Sequence, residues 1–479
     1  MPMRQRPHVR TGPVLSVELP DPLAPLRELP DLAVARSPAI ASPLAGVAQD
    51  SPARHGAKEK DPAGATHSKV NTHVHLPPNF SAFETVEKAV DLAADASLHV
   101  LGSSNYYDFA IYARFASSAR SRGVFPLFGL EIISLIAELK DEGIKVNDPD
   151  NPGRMYLCGK GITRFAPMSA EAELLMQRIR DADRARIDVM IERMTALMRS
   201  KGVSTEVTAA SIRSTLARRY AVPVATVYLQ ERHVAQAFQE AVFAHVGATE
   251  RAGVLRRLLG VECTAPDDPV AVQNQVRSQL MKAGKPAFVE ESVLDADMAY
   301  ALVLALGGVP CYPILADGAS PVCQFEDSVD DLVGALISRG IWCAELIPCR
   351  NAAKTVDRYA TTLRSAGIIV LGGTEHNTLE LTPITPECKG RVPVSERVTE
   401  LFWEGACVIA AHQYLSARGH VGYVDATGNL NPGFTDHEQR VGDLARLGST
   451  VIEAFARPGE DRSAAVGQTS TTAARTEQP

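Results

Sequence analysis

Residues 71–75 read Asn-Thr-His-Val-His, and this stretch governs how the rest of the chain is interpreted. It ends a short run of alternating apolar residues, a pattern that predicts a β-strand. Side chains two residues apart on a strand point to the same face, so His73 and His75 should aim their imidazoles at one point. Imidazole is the commonest protein ligand of catalytic divalent metals. An isolated His-x-His pair is about as often a coincidence as a metal site, so other parts of the chain must decide.

Composition narrows the class of protein. The chain has 479 residues, a net charge of −7 and 45% hydrophobic residues, which is ordinary for a globular protein. The negative charge provides no general attraction to nucleic acid or anionic membrane, and no apolar run is long enough to span a bilayer. The eight cysteines are scattered without a Cys-x-x-Cys pair and are expected to be reduced, mostly buried thiols. We therefore expect a cytoplasmic protein without a membrane partner.

The chain divides into segments of different character. Residues 1–68 are rich in Pro, Ala, Arg and Ser and are predicted to be disordered or loosely attached, as is the polar tail at 458–479. Residues 165–285 are charged with helical spacing of apolar residues, which predicts a helical insertion. The flanking segments, 69–164 and 286–457, should form one larger domain. We expect the insertion to project over that domain as a lid.

Strand-like runs recur through the larger domain, separated by helical patterns. They are Val124–Ile132, Val309–Leu315, Trp342–Ile347, Gly367–Leu371 and Cys407–Ala411. Repeated β–α units favour an α/β barrel or a doubly wound sheet, in which chemistry sits at the carboxyl ends of the strands. That is where His73, His75, Glu131, Glu345 and the run 372–377 should fall. Glu131 interrupts an apolar run and is costly to bury without a partner. It is either a satisfied edge residue or a metal ligand.

The order of the motifs resembles the PHP (polymerase and histidinol phosphatase) superfamily, closest to the branch that hydrolyses nucleoside bisphosphates and short oligonucleotides. Each motif alone is weak, and the resemblance rests on seven in the family's order over about 69–412. They are His73–His75, Ser103–Asn105, Gly129–Glu131, Arg232–Ala235, Gly284–Val289, Gly307–Pro313 and Gly373–Asn377. The resemblance implies an α/β fold, a distorted (β/α)7 barrel with a helical insertion.

The resemblance also implies a metal site that is only partly retained. Family members commonly hold three divalent metals, and this chain keeps one complete ligand set, namely His73, His75, Glu131 and Glu375. His376 directly follows Glu375, where the family spacing leaves one residue between, and is a further candidate ligand. The other ligand positions fall near Phe80 or Ser81 and at Asn105, Asn377, Tyr156 and Tyr312. Asparagine and tyrosine replace imidazole poorly at such sites.

By this resemblance we expect a metal-dependent hydrolase that acts on a small anionic substrate, a phosphoester, with about one divalent metal (Zn, Mn or Fe). Nucleic acid beyond a nucleotide or short oligonucleotide is not expected as a partner. A single-metal lyase or isomerase, and a non-catalytic metabolite-binding descendant, are the alternatives. The candidate catalytic residues are Tyr156, Tyr312, His233 and Asn105, and the candidate substrate-binding residues are Arg232, Lys285, Arg350 and Asn377.

Overall fold

The computed structural model describes residues 21–32, 69–203 and 205–457. Its strands are β1 (Lys69–Val74), β2 (Leu98–Ser103), β3 (Phe125–Leu135), β4 (Arg154–Lys160), β5 (Leu294–Asp295), β6 (Val309–Ile314), β7 (Cys343–Leu346), β8 (Ile369–Gly372), β9 (Glu387–Cys388) and β10 (Val392–Pro393). The first helices are α1 (Ala24–Arg27), α2 (Val86–Asp95), α3 (Tyr112–Arg122) and α4 (Ala137–Asp141). Those between β4 and β5 are α5 (Ala170–Ser200), α6 (Ala209–Tyr220), α7 (Glu231–His245), α8 (Ala248–Leu259) and α9 (Pro269–Val276). The last are α10 (Ala296–Ala305), α11 (Val329–Ser338), α12 (Ala353–Ser365), α13 (Glu396–Ala417) and α14 (His437–Ala456).

The main sheet forms a nearly closed barrel. Its strands follow the order β1-β2-β3-β4-β6-β7-β8, and the short β5 pairs with β3. Neighbouring strands are parallel except at β4, which runs antiparallel to both β3 and β6. The one reversed strand makes this a distorted version of a β/α barrel, and the predicted fold class is confirmed.

The seam between β8 and β1 is closed just beyond the last residues of the two strands. Val74 and Glu375 form a parallel bridge, and the His75 amide donates to the Glu375 carbonyl at 2.9 Å. Gly373 allows this approach, because a Cβ there would lie 2.3 Å from the Cβ of His73. A larger residue at 373 would push the seam apart and displace His73.

Two findings differ from the sequence-based expectations for the chain outside the strands. Cys407–Ala411, predicted as a strand, lies inside α13, which is buried on most sides. Within the predicted N-terminal extension, residues 21–32 pack against α13 through Leu23, Leu26 and Leu29, and the Tyr414 hydroxyl donates to the Pro30 carbonyl at 2.8 Å. The rest of 1–68 and the tail at 458–479 lie outside the described residues.

The helices between β4 and β5 form the insertion and have a hydrophobic core of their own. This core runs from Ile187 to Ala287, whereas the first turns of α5 join the barrel core. The insertion reaches the carboxyl end of the barrel, since the Gln230 side chain accepts from the Phe80 amide at 2.6 Å. Among the described residues, no helix combines the length and apolar character needed to cross a membrane.

Candidate metal centre

The two histidines of the opening stretch converge inside the barrel. His73 lies near the end of β1 and His75 directly follows the strand, and their Nε2 atoms are 3.4 Å apart. Glu131, in the middle of β3, places Oε2 3.3 Å from His75 Nε2. All three side chains are almost fully buried. Two imidazole nitrogens and one carboxylate oxygen thus meet at one point inside the barrel.

A buried carboxylate beneath the cluster fixes the orientation of His73. Glu345, on β7, contacts His73 Nδ1 through Oε2 at 2.6 Å, and the Thr72 hydroxyl donates to its Oε1 at 2.6 Å. Because β1 has register irregularities between Asn71 and Val74, the adjacent residues Thr72 and His73 can both reach Glu345. A carboxylate that holds one imidazole nitrogen leaves the other nitrogen free to bind a metal.

The charge of Glu345 is balanced by a lysine inside the barrel. Lys160 Nζ lies 2.7 Å from Glu345 Oε2 and also donates to the Thr72 carbonyl and the Ser104 hydroxyl, each at 3.0 Å. Burial alone would raise the pKa of Glu345, but Lys160 and His73 lower it to about 2. Burial likewise opposes the charge on Lys160, and Glu345 raises its pKa above the usual range. Glu345 and Lys160 therefore form a buried ion pair with no net charge.

The protonation states of the cluster suit a cation. Burial lowers the pKa of His75, which favours the neutral ring that a metal requires. Burial opposes the charge on Glu131, but the neighbouring His75 and His73 hold the pKa of this carboxyl below its usual value. Moreover, His75 Nδ1 is buried and has no hydrogen-bond partner within the described part of the chain. A donor set of two neutral imidazoles and one carboxylate fits a divalent metal such as zinc, manganese or iron.

The fourth predicted ligand, Glu375, lies beside the cluster but is engaged by other groups. Its Oε2 accepts from the guanidinium of Arg350 and, at 2.7 Å, from the amide of Asn377. Glu375 and His376 both have positive φ, 62° and 51°. Non-glycine residues pay a conformational cost there, and such residues concentrate at functional sites. The structure brings Glu375 to the rim and only His73, His75 and Glu131 into direct contact.

His376 is directed away from the cluster. Its ring stacks on Phe83, with ring centroids 4.7 Å apart. Its Nδ1 contacts the Thr374 hydroxyl at 2.7 Å, and its Nε2 contacts the Thr382 carbonyl at 3.0 Å. Both ring nitrogens therefore already have partners in the turn that follows β8.

Several other predicted residues also have partners elsewhere. The Asn105 side chain bonds both backbone groups of Leu76 at 2.8 Å, and the Tyr312 hydroxyl donates to Glu326 at 2.9 Å. His233 Nδ1 accepts from the Gln230 amide at the start of α7, at 3.0 Å. The exposed Lys285 donates to the Gln279 side chain at 3.4 Å. His412, on α13, likewise bonds the Gly307 carbonyl and the Tyr423 amide.

Two adjoining cavities open beside the cluster. The inner cavity, of about 300 Å³, is lined among others by Glu131, Tyr156, Arg350, Glu375 and Asn377. The insertion cavity, of about 600 Å³, shares Tyr156 and Asn377 with the inner cavity and includes Arg232 from the insertion. Predicted substrate-binding residues from the barrel and from the insertion therefore face one continuous region.

Arg232 and Arg350 differ in their availability. Arg350 is paired with Glu375, whereas Arg232 has no hydrogen bond or ion pair with any described residue. Burial and the nearby Arg277 lower the pKa of Arg232 to about 10, so the group stays charged at neutral pH. A partly buried, unpaired guanidinium is suited to an anion.

Two residues of the site were not predicted, and Glu345 was placed at the strand ends without a role. Lys160 pairs with Glu345, which holds His73, and Tyr106 stacks on His75 with ring centroids 5.1 Å apart. Glu345 shows the same sequence feature that singled out Glu131, namely a carboxylate within an apolar strand. Lys160 ends the strand-like run 155–160 in the same way, but its partner could not be named from sequence.

Comparison with known proteins gives only an overall likeness. No protein-family model and no curated protein matches the chain. A solved structure of a candidate metal-dependent phosphoesterase from Bifidobacterium adolescentis is 15% identical and covers 71% of this chain and 97% of its own, with a TM-score of 0.45. An amidohydrolase from Chromobacterium violaceum, solved with sulfate and no metal, is 15% identical and covers 70% and 97%, with a TM-score of 0.44. At this level of similarity, the assignment of function depends on the residues of the chain itself.

Proposed function

We propose that this chain is a metal-dependent hydrolase that acts on a small anionic substrate, a phosphoester, with one divalent metal. The observation that carries the proposal is the convergence of His73, His75 and Glu131 beside a cavity that contains Arg350. The order of the PHP motifs supports the choice of a phosphoester. A metal held by these residues would act as a Lewis acid and lower the pKa of a bound water.

The residues around the cluster would orient the substrate. Arg350 and Asn377, which both bond Glu375, can turn toward an anionic group in the inner cavity. The unpaired Arg232 is available for a second anionic group in the insertion cavity. Two guanidinium groups in adjoining cavities suit a substrate with more than one negative charge.

The tyrosines would act as hydrogen-bond donors. Burial raises the pKa values of Tyr106 and Tyr156 well above their usual range, so both hydroxyls stay protonated at neutral pH. A neutral phenol can donate to a developing oxyanion but cannot serve as a general base. Tyr106 and Tyr156 both line the inner cavity and the insertion cavity, so either hydroxyl can contact a substrate there.

Metal analysis combined with a phosphatase screen tests the proposal. The full chain, purified without chelator, should contain a divalent metal and release phosphate from at least one class of phosphomonoester or phosphodiester. His73→Gln should lose both properties. His99→Gln is the matched control, because His99 lies on the neighbouring strand β2 but is exposed on the outside of the barrel.

The outcomes separate the alternatives. Metal without phosphate release would overturn the phosphoesterase assignment and favour a lyase or isomerase that uses one metal. Neither metal nor phosphate release would favour a metabolite-binding protein. Equal losses in His73→Gln and His99→Gln would point to general destabilisation and would contradict the assigned role of His73.

A further inference from the structure

A third cavity, here called the outer cavity, lies apart from the metal cluster. It has a volume of about 360 Å³ and is bounded by the start of α3, the middle of α5 and residues 225–229. Its apolar walls include Phe109, Phe165 and Leu229. Such a volume is at the small end of the range found for ligand pockets, about 300–1,000 Å³.

The outer cavity adjoins the insertion cavity but not the metal cluster. Asp183 and Tyr228 line both cavities, whereas His73, His75 and Glu131 do not line the outer cavity. A ligand bound in the outer cavity would therefore not contact the metal cluster directly, and the site is distinct from the one proposed above.

Asp108 gives the outer cavity an unsatisfied polar group. It lines the cavity and is only 2% exposed. Its Oδ1 accepts from the Ala110 amide at 2.9 Å, but its Oδ2 is buried and has no hydrogen-bond partner among the described residues. No Lys, Arg or His nitrogen of the described chain lies within ion-pair distance of this carboxylate, and the nearby Arg180 instead donates to the Tyr107 carbonyl at 2.9 Å. Buried polar groups are nearly always satisfied, so a bound donor is expected.

The surroundings indicate the charge of that donor. The lining carries three acidic groups and three guanidinium groups, which are Asp21, Asp108, Asp183, Arg180, Arg184 and Arg213. This balance favours neither a strong cation nor an anion. Burial raises the pKa of Asp108 to about 6, so its carboxylate is mainly ionised at neutral pH and accepts hydrogen bonds. An uncharged N–H donor suits it best.

We propose that the outer cavity is a second small-molecule site, which binds a planar, uncharged heteroaromatic compound through adjacent N–H donors to Asp108. The aromatic and aliphatic side chains would cover the faces and edges of the ring. The two oxygens of a carboxylate accept from two neighbouring N–H groups in one plane, which fixes the orientation of the ligand.

Calorimetric titration of the full chain with 2-aminobenzimidazole tests this site, at an alkaline pH above the pKa of the probe's conjugate acid, where the probe is uncharged and Asp108 is ionised. The wild type should bind the probe and should bind 1,2-dimethylbenzimidazole, which has no N–H donor, at least about tenfold more weakly. Asp108→Asn, which replaces one acceptor oxygen by an amide, should weaken probe binding by a similar factor. Treatment with chelator should leave probe binding unchanged, because the cluster does not line this cavity.

A filling variant gives a second, independent test. Ala113→Phe places a ring in the outer cavity from α3, and Ser117→Phe adds the same ring one turn further on, at an exposed position outside the cavity. Ala113→Phe should abolish probe binding and Ser117→Phe should not. Absence of binding to the wild type, equal binding of both compounds, or equal binding by Asp108→Asn or Ala113→Phe would each overturn the proposal.

Discussion

Two neighbouring segments at the barrel seam carry similar residues but differ in whether the side chains are already bonded to other groups. The stretch after β1 contains His73 and His75, whose Nε2 atoms face each other and Glu131. The turn after β8 contains Glu375 and His376, whose polar atoms are bonded to Arg350, Asn377 and two threonines. The residue types allow metal binding in both segments, but only the first leaves lone pairs directed at a common point. Free lone pairs, more than residue identity, distinguish the candidate metal centre.

The largest expected effect contrasts the two histidines that stand for these segments. His75→Gln should reduce the bound metal by at least about tenfold, because it removes a central ligand. His376→Gln should leave the metal content close to that of the wild type, because both ring nitrogens of His376 are engaged within the turn. Elemental analysis of both variants measures this difference. Equal loss of metal in the two variants would contradict the different roles assigned to His75 and His376.

Glu131→Gln tests the carboxylate of the cluster. The substitution keeps the size of the side chain and removes its charge, so metal content should fall sharply. The thermal stability of the metal-loaded protein should fall too, by about 2.7 kcal/mol if metal is present at a hundred times its Kd. After chelator treatment the difference in stability should become smaller, because no metal then stabilises the wild type. Full metal occupancy in the variant would exclude Glu131 as a ligand.

Glu345→Gln tests whether the group beneath the cluster positions His73. Metal affinity should fall about 10–100-fold, the usual effect of losing a group that orients a ligand. The substitution leaves the buried charge of Lys160 without its partner, which should lower the free energy of unfolding by about 3–5 kcal/mol. Combining Glu345→Gln with Lys160→Met should recover stability while affinity stays low, as measured by unfolding and by metal titration. If the double variant recovered both stability and metal affinity, Glu345 would affect metal binding only through the stability of the fold.

A pH-dependent effect is expected at a histidine that has a structural role outside the metal cluster. Burial lowers the pKa of His412 from 6.5 to about 4, so the unfolded chain takes up a proton in that window and the folded chain does not. Its contribution to stability is complete above pH 6.5 and is lost toward pH 4, by about 1.4 kcal/mol per pH unit. The stability gap between wild type and His412→Gln should therefore narrow as the pH falls. If chemical unfolding gave the same difference in stability between the two proteins at every pH in this range, the lowered pKa of His412 would be contradicted.

Sequence patterns predicted the structure best where a residue type in a given pattern has one common role in proteins. The His-x-His spacing and the carboxylate in an apolar strand led to His73, His75 and Glu131, and the alternation of strands and helices led to the barrel. Cys407–Ala411 was predicted wrongly, because a continuous apolar run fits a buried helix as well as a strand. The partners of His376, Asn105 and Tyr312 come from chain segments or backbone groups that no local pattern identifies. Likewise, Lys160 and Glu345 are far apart in sequence, and only the closed barrel joins them.

The most direct test of the account is anomalous X-ray diffraction, at the absorption edge of the bound metal, from crystals of the full chain purified without chelator. We expect one strong anomalous peak per chain, coordinated by the Nε2 atoms of His73 and His75 and by the carboxylate of Glu131. Absence of a peak there, or a peak at His376 instead, would contradict the assigned centre. Two or three peaks around Asn105, Tyr156 and Asn377 would contradict a single-metal site.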